Sequence, residues 1–216
     1  MDKSFPDLLR RHRTFLIPFL ILILICFYFL FTNTQAELFL ITNIVYNDFF
    51  DEVFKVFTIL GDGSVMVLVT FAMLFVKYRY AVLLAISYGF TSVIVQILKR
   101  IFNSPRPSKF FEGLNPIRTI EGYPLYEWNS FPSGHSTSAF VLAVCLSYML
   151  PHKGRHWIII PIAILTAFSR VYLSQHFLHD VVAGAILGVM LTFQVIWWLE
   201  KSEWFNSSRL DGRLFS

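Results

Sequence analysis

Three separated stretches of this 216-residue chain combine histidine, basic residues and small residues. They read KRIFNSPRP from residue 99, PSGH from residue 132 and SRVYLSQHFLHD from residue 169. Histidine changes protonation near neutral pH, whereas lysine and arginine bind oxyanions, arginine often in a bidentate manner. Together these residue types suit acid–base or nucleophilic chemistry on a phosphate-like group.

The three candidate cations are Lys99, Arg106 and Arg170, and no matching run of acidic residues accompanies them. Each alone could be a lysine or arginine that reaches a lipid head group or caps a helix. Ionisable residues in membrane segments are costly, at roughly 2.5–3.5 kcal/mol each on insertion scales. Several of them at one depth therefore predict a common anion site.

The PSGH stretch opens an apolar run and fits a helix N-terminus that binds an anion. Ser133 is well placed as an N-cap, and Gly134 lets the backbone approach a ligand closely. His135 then lies on the first turn, where it can donate a proton. His176 and Asp180 are four residues apart, so Asp180 can orient His176 and leave its other ring nitrogen free as a nucleophile.

The composition places these residues in a membrane protein. The chain is 56% hydrophobic and 18% aromatic, with 15% charged residues and a formal charge of +4. Because the basic residues flank apolar runs and form no basic stripe, we expect no nucleic-acid partner. Cys26 and Cys145 lie inside apolar runs, which indicates packing residues without a disulfide or metal site.

Six apolar segments of helical character predict an all-α polytopic membrane protein with six transmembrane helices, because an open sheet cannot satisfy its backbone in lipid. A single domain over 1–216 follows, since no repeat or linker interrupts the chain. The segments are Thr14–Phe31, Thr58–Val76, Ala81–Leu98, Ser136–Leu150, Trp157–Leu173 and Val181–Leu199.

The distribution of basic residues predicts that both termini are cytoplasmic. With this orientation eleven of the eighteen lysines and arginines lie inside, including Lys3, Lys153 and Arg155. The three candidate cations lie outside, together with the histidines. Basic residues are disfavoured in loops on the outer face of a membrane, so topology does not explain their position there.

Two segments leave alternatives open. Thr14–Phe31 reads as an uncleaved anchor, although a cleaved signal peptide is the alternative. Asn47–Phe57 places its acidic residues on one helical face and its phenylalanines on the other. That pattern fits a helix at the outer membrane interface, either as an ordinary connector or as a guide for lipid.

At these residues the sequence resembles the type-2 phosphatidic acid phosphatase superfamily, which also contains the vanadium haloperoxidases. Lys-x₆-Arg-Pro, Pro-Ser-Gly-His and Ser-Arg-x₅-His-x₃-Asp occur in order, within a signature region of about 58–199. The resemblance implies a membrane phosphatase that forms a phosphohistidine intermediate and needs no metal or other cofactor.

The resemblance also implies a role for each residue of the three motifs. His176 would attack phosphorus, Asp180 would hold its tautomer, and His135 would protonate the leaving oxygen and later activate water. The phosphoryl oxygens would be bound by Lys99, Arg106, Ser133, Gly134 and Arg170. His179 lies outside the signature, and we expect it to be a pocket or surface residue.

We expect a lipid phosphate or diphosphate as substrate, of the undecaprenyl diphosphate, phosphatidylglycerol phosphate or phosphatidic acid type. A lipid A 1-phosphatase or another head-group-specific phosphatase of the family is the alternative. A vanadate-dependent haloperoxidase fits less well because such enzymes are typically soluble, and a non-catalytic transporter fits less well because the motif is complete. We expect a bacterial cytoplasmic membrane, an active site facing the periplasm or exterior, and no obligate protein partner.

Overall fold

The computed structural model describes residues 4–114, 117–150 and 156–215. Over these residues the chain forms helices and loops and no β-strand, which confirms the predicted all-α class. A 3₁₀ turn at Ser208–Asp211 follows the last α-helix. The helices are α1 Phe5–Arg11, α2 Arg13–Thr32, α3 Gln35–Ile44, α4 Asp48–Ile59, α5 Gly63–Met73, α6 Tyr78–Phe102, α7 Pro107–Phe110, α8 Gly134–Met149, α9 His156–Tyr172, α10 Leu178–Lys201 and α11 Glu203–Asn206.

The second predicted segment, Thr58–Val76, is wrong as a single helix. Thr58 lies in the last turn of α4, and α5 begins only at Gly63, with a bend of 53° between the two helices. The break has a local cause, because the Asp62 side chain accepts a hydrogen bond from the Ser64 N–H at 2.8 Å and caps α5. The other five predicted segments each coincide with one helix.

Several helices are suited to crossing a membrane. By length and apolar composition these are α2, the stretch Tyr78–Phe110 that contains α6 and α7, and α10, and the bent α4–α5 pair could form a fourth crossing. The described residues thus support an integral membrane protein, whereas the count of six spans stays a prediction. Lys3, Lys153 and Arg155, which entered the orientation argument, lie outside the described residues.

The centre of the fold is the contact between α8 and α10. A Cβ atom added to Gly184 would lie 2.5 Å from the Ser133 carbonyl oxygen, and one added to Gly188 would lie 2.7 Å from the Thr137 carbonyl oxygen. These two glycines therefore let the helix backbones approach each other closely. The Ser136 hydroxyl donates to the Val181 carbonyl oxygen at 2.7 Å and fixes the register of the pair.

Helix α4 is tied to the rest of the bundle by Asp51. The sequence places Asp51 on a polar face, but the structure buries it, and it accepts a hydrogen bond from the Tyr172 hydroxyl at 2.7 Å. Asp51 also forms an ion pair with Arg118, whose guanidinium stacks on the Tyr46 ring. A buried carboxylate needs such partners, and the bond to Tyr172 holds the start of α4 beside α9.

Candidate active site

His176 and Asp180 form the centre of the candidate site. His176 lies in the loop between α9 and α10, and Asp180 lies in the first turn of α10. The Nδ1 atom of His176 is 3.4 Å from Asp180 Oδ2, and both side chains are buried. The structure thus brings together the predicted nucleophile and the predicted orienting carboxylate.

Asp180 is held by several hydrogen bonds at once. Its Oδ2 atom accepts from the Phe177 N–H at 2.9 Å, which caps α10, and from the Ser130 hydroxyl at 2.6 Å. Its backbone oxygen accepts from the Ser133 N–H at 3.0 Å. These contacts join the start of α10 to the segment that leads into α8.

Ser130 determines which ring nitrogen of His176 carries the proton. Its hydroxyl proton is directed at Asp180, and its oxygen lies 3.3 Å from His176 Nδ1. Both neighbours of Nδ1 are therefore acceptors, so the proton belongs on Nδ1 and the lone pair on Nε2 is free. Burial lowers the pKa of His176 to about 3, against the opposing influence of Asp180, so the ring is neutral at neutral pH.

His135 lies on the first turn of α8, two residues after the N-cap Ser133. Its Nε2 atom is 3.8 Å from Asp62 Oδ2, at the break between α4 and α5. A Cβ atom added to Gly61 would lie 2.9 Å from His135 Cβ, which shows how closely this break packs on the histidine. The site therefore draws on a fourth stretch of the chain, outside the three motifs.

Lys99 and Arg106 approach the N-terminus of α8 from the end of α6. The Lys99 ammonium donates to the Asn129 carbonyl oxygen at 2.6 Å, and its Cε atom is 3.9 Å from the position of a Cβ added to Gly134. Arg106 donates to the Trp128 carbonyl oxygen at 2.9 Å and to Gln175 Oε1 at 3.2 Å. Both cations therefore lie beside the backbone that carries PSGH and His176.

Arg170 occupies the last turn of α9 and is almost fully buried. One of its terminal nitrogens donates to the Thr58 hydroxyl at 2.6 Å and to the Tyr123 hydroxyl at 3.1 Å, while Nε has no partner among the described residues. Arg106 and Arg170 both act electrostatically on His135 and on His176. All eight predicted site residues therefore lie in one neighbourhood.

The three cations share an unusual property. Within the part of the chain that the structure describes, none of them forms an ion pair, and their hydrogen-bond partners are carbonyl, amide and hydroxyl oxygens. A buried charge without a counter-charge is expensive unless a ligand supplies one. An anion with several oxygens, near the N-terminus of α8, provides that compensation.

The sequence reasoning missed several residues of the site. Ser130, Gln175, Thr58, Tyr123 and Asp62 contact the motif residues, yet they lie outside the motifs. Only two carried a usable signal. Ser130 directly precedes the Phe-Pro-Ser-Gly-His run, and Asp62 lies in a Gly-Asp-Gly-Ser turn that favours a helix cap.

His179 lies closer to the centre than a simple surface residue. Its ring stacks between Phe131 and Phe177, its side chain is 35% exposed, and its Nε2 atom is 3.0 Å from Asp180 Oδ1.

Among the described residues, no group of three or more His, Cys, Asp or Glu side chains could hold a metal ion. The neighbourhood of the motifs holds two motif histidines, the Asp180 carboxylate and three cations.

Residues 80–204, more than half of the chain, match the family model of the PAP2 superfamily. The chain belongs to the PAP2 superfamily. This confirms the resemblance given by the three motifs, all of which lie inside the matched region. Thr58 and Asp62 lie before it, so part of this PAP2 site is built by residues that precede the match.

Known PAP2 proteins similar to this chain include a phosphatidylglycerophosphatase B from Bacillus subtilis. It is 41% identical over 86 residues, covering 36% of this chain and 42% of the relative. An undecaprenyl-diphosphatase from Sulfolobus acidocaldarius is 33% identical over 116 residues, covering 53% of each protein. The chain spans about half the length of these curated relatives.

The crystal structure of Aquifex aeolicus LpxE resembles this PAP2 chain over a larger part of its length than these relatives match. The TM-score is 0.67 at 29% identity, covering 74% of this chain and 93% of the LpxE chain. The similarity therefore extends from the motifs to most of the helical arrangement.

Proposed function

We propose that this PAP2 protein is an integral membrane phosphatase that removes phosphate from a lipid phosphate monoester or diphosphate. The observation that carries the proposal is a set of three cations, the buried Lys99 and Arg170 and the partly buried Arg106, whose partners in the described structure are neutral oxygens. They adjoin a neutral histidine with a free Nε2. A phosphoryl group supplies the missing negative charge and the electrophile together.

In the first step, the Nε2 lone pair of His176 attacks phosphorus and a P–N bond forms. The P–O bond to the lipid breaks, and its electron pair stays on the leaving oxygen, which takes a proton from the protonated His135. Asp180 faces the Nδ1–H of His176 and stabilises the positive charge that develops on the ring. The product is a phosphohistidine.

In the second step, water attacks the same phosphorus and gives its proton to His135. The P–N bond breaks, its electrons return to Nε2, and inorganic phosphate leaves. Lys99, Arg106 and Arg170 hold the equatorial oxygens through both steps, together with Ser133 and the Gly134 N–H at the start of α8. His135 recovers from water in the second step the proton that it gives to the leaving oxygen in the first, so the cycle is closed.

The substrate class follows from the membrane setting and from the names of the relatives. Phosphatidylglycerol phosphate and undecaprenyl diphosphate are the substrates named by the two relatives, and phosphatidic acid shares their phosphate chemistry. A lipid A 1-phosphatase is the alternative within the same site. A vanadate haloperoxidase is less favoured because α2 and α10 are long and apolar enough to cross a membrane.

We further propose one domain over 1–216 with six spans, both termini in the cytoplasm and the site at the periplasmic or outer face. The proposal is supported by α2, α6, α10 and the bent α4–α5 pair, which are long and apolar enough to cross a membrane, and the shorter helices α8 and α9 coincide with the other two predicted segments. The bend places Asp62 beside His135, so the second span contributes to the site through its interruption.

The test is phosphate release by the purified protein from phosphatidylglycerol phosphate, undecaprenyl diphosphate, phosphatidic acid and lipid A, in excess EDTA and with or without vanadate. We expect release from at least one of them in EDTA, inhibited by vanadate as a phosphate analogue. Loss in EDTA that Mg²⁺ restores would contradict the mechanism, and halide oxidation with added vanadate would favour the haloperoxidase. Release by intact spheroplasts from a short-chain substrate that cannot cross the membrane tests the outward orientation.

A further inference from the structure

A second polar cavity lies at the end of the bundle opposite the candidate active site. Helix α8 carries His135 in its first turn and lines this cavity with Ser147, Tyr148 and Met149 in its last turn. At about 1.5 Å per residue, its 16 residues separate the two ends by about 22 Å. Likewise, α10 has Asp180 at its start and Glu200 in the cavity at its end.

The cavity has a volume of about 480 Å³ and a basic lining. Lys77 and Arg79 enter it from the start of α6, and both also contact Asp211. The Nε atom of Arg79 is buried and has no hydrogen-bond partner among the described residues. The cavity's own carboxylate, Glu200, forms an ion pair with Arg11. The lining therefore has positive charge to offer and a donor that lacks an acceptor.

An apolar groove of about 790 Å³ continues from this cavity along α2 and α9. The two spaces share Thr14 and His156, so they are contiguous. Pro18 in α2 and Pro161 in α9 line the groove. Arg13 stands at its polar end, is exposed, and forms no ion pair among the described residues.

We propose that the cavity and groove together bind one anionic glycerophospholipid, with its phosphodiester in the basic cavity and an acyl chain in the groove. Charge complementarity selects the anionic head group, because basic pockets between membrane helices attract such lipids. The contiguous apolar groove between α2 and α9 selects a molecule with a long hydrocarbon chain. A free phosphate ion satisfies the cavity and leaves the groove empty.

The site is separate from the proposed catalysis. None of its lining residues belongs to the three motifs, and the lipid is a ligand here, with no bond formed or broken. Retention of an anionic lipid is therefore measured by binding, and its failure would leave the phosphatase proposal standing.

The experiment uses the full chain in mild detergent with phosphatidylglycerol or phosphatidylcholine of identical acyl chains, and native mass spectrometry counts the bound lipid. We expect one phosphatidylglycerol to be retained in preference to phosphatidylcholine. Lys77→Gln and Arg13→Gln each remove a cation and should weaken its binding by about fivefold, since a basic residue near a charged lipid is worth about 1 kcal/mol. Ile17→Trp fills the groove and should weaken it further.

Two matched variants control for general disturbance. Arg10→Gln removes an exposed cation from outside the cavity. Leu20 is 54% exposed, like Ile17, and lies on the same helix outside the groove, so Leu20→Trp adds equal bulk elsewhere. Both should retain the lipid as the wild type does. The proposal would be overturned if the two lipids bound equally, or if the control variants lost as much binding as the test variants. It would also be overturned if vanadate displaced the lipid while Lys77→Gln had no effect on binding.

Discussion

Two buried serines contact a histidine at opposite ends of the bundle, and they differ in one respect. Ser130 Oγ lies 3.3 Å from His176 Nδ1, and Ser147 Oγ lies 3.2 Å from His156 Nδ1, with 1% and 2% of these serines exposed. Only Ser130 also donates to a carboxylate in the described contacts, that of Asp180. The Ser130 hydroxyl proton is therefore committed and fixes the tautomer of His176, whereas the Ser147 contact leaves the tautomer of His156 open.

The largest expected effect separates the two histidines of this comparison. His176→Ala removes the proposed nucleophile, so acid-quench trapping with labelled substrate should find no phosphoenzyme, and turnover should fall by about 10³-fold or more. His156→Ala should still form phosphoenzyme, because that ring lies at the other end of the bundle. Trapped phosphate on His176→Ala would show that another group is the nucleophile.

An intermediate effect is expected for His135→Ala, and the loss of rate in this variant should depend on the leaving group. A lipid alkoxide needs a proton to leave, so His135→Ala should slow lipid monoester turnover by about 10²–10⁴-fold. A nitrophenolate leaves with little help from an acid, so the variant should slow nitrophenyl phosphate far less. A lipid diphosphate, whose leaving group is itself a phosphate, should be slowed by an intermediate factor. Phosphoenzyme formation on all three substrates measures this. Equal slowing would remove His135 from the role of general acid.

The smallest expected effect tests the serines themselves. Ser130→Ala should lower turnover by about tenfold, the value of about one hydrogen bond, whereas Ser147→Ala should leave it unchanged. Ser130→Thr keeps the hydroxyl and should restore most of the activity. The rates are measured with the same short-chain lipid phosphate, after size-exclusion chromatography has shown that each variant is folded.

The pH profile distinguishes positioning by Ser130 from a merely structural role. In the wild type the pKa of His176 is lowered to about 3, so the nucleophile stays neutral well below pH 6.5. The acid limb of the kcat/KM profile therefore lies at low pH. Ser130→Ala frees Asp180 to interact more strongly with His176, which raises this pKa. The acid limb of kcat/KM should therefore move to higher pH and activity at pH 5 should fall more than at pH 7. A uniform loss at all pH values would contradict the positioning role.

The sequence identified the motif residues by their types, by their position at the ends of apolar segments and by the resemblance to a known family, and the structure brings them into one neighbourhood. PSGH marks a helix start, and α8 begins there. The spacing of four residues predicts His176 and Asp180 on one helical face, but His176 lies in the loop before α10 and meets Asp180 across the start of that helix. Thr58 and Tyr123 could not be predicted, since their contacts with Arg170 depend on tertiary packing over 112 and 47 residues of chain, whereas Ser130 carried only the signal of its place before the PSGH run.

The break between α4 and α5 was missed for a different reason. Apolar residues continue on both sides of Gly61–Gly63, so hydropathy alone predicts one uninterrupted segment. The Asp62 side chain accepts a hydrogen bond from the Ser64 N–H and caps α5, and this local polar interaction interrupts the apolar segment. Local turn chemistry outweighed the average apolar character of the segment.

The hydrogen bond from Arg170 to Thr58 has a consequence for where this protein can be cut. The family match begins at residue 80, yet Thr58 and Asp62 contact Arg170 and His135 from before that point. A recombinant fragment trimmed to 80–204 would carry every motif residue while leaving the buried Arg170 guanidinium without the Thr58 hydroxyl and His135 without Asp62. A fragment that keeps these contacts must therefore begin before Thr58, so the boundaries of the family match understate the part of the chain that builds the site.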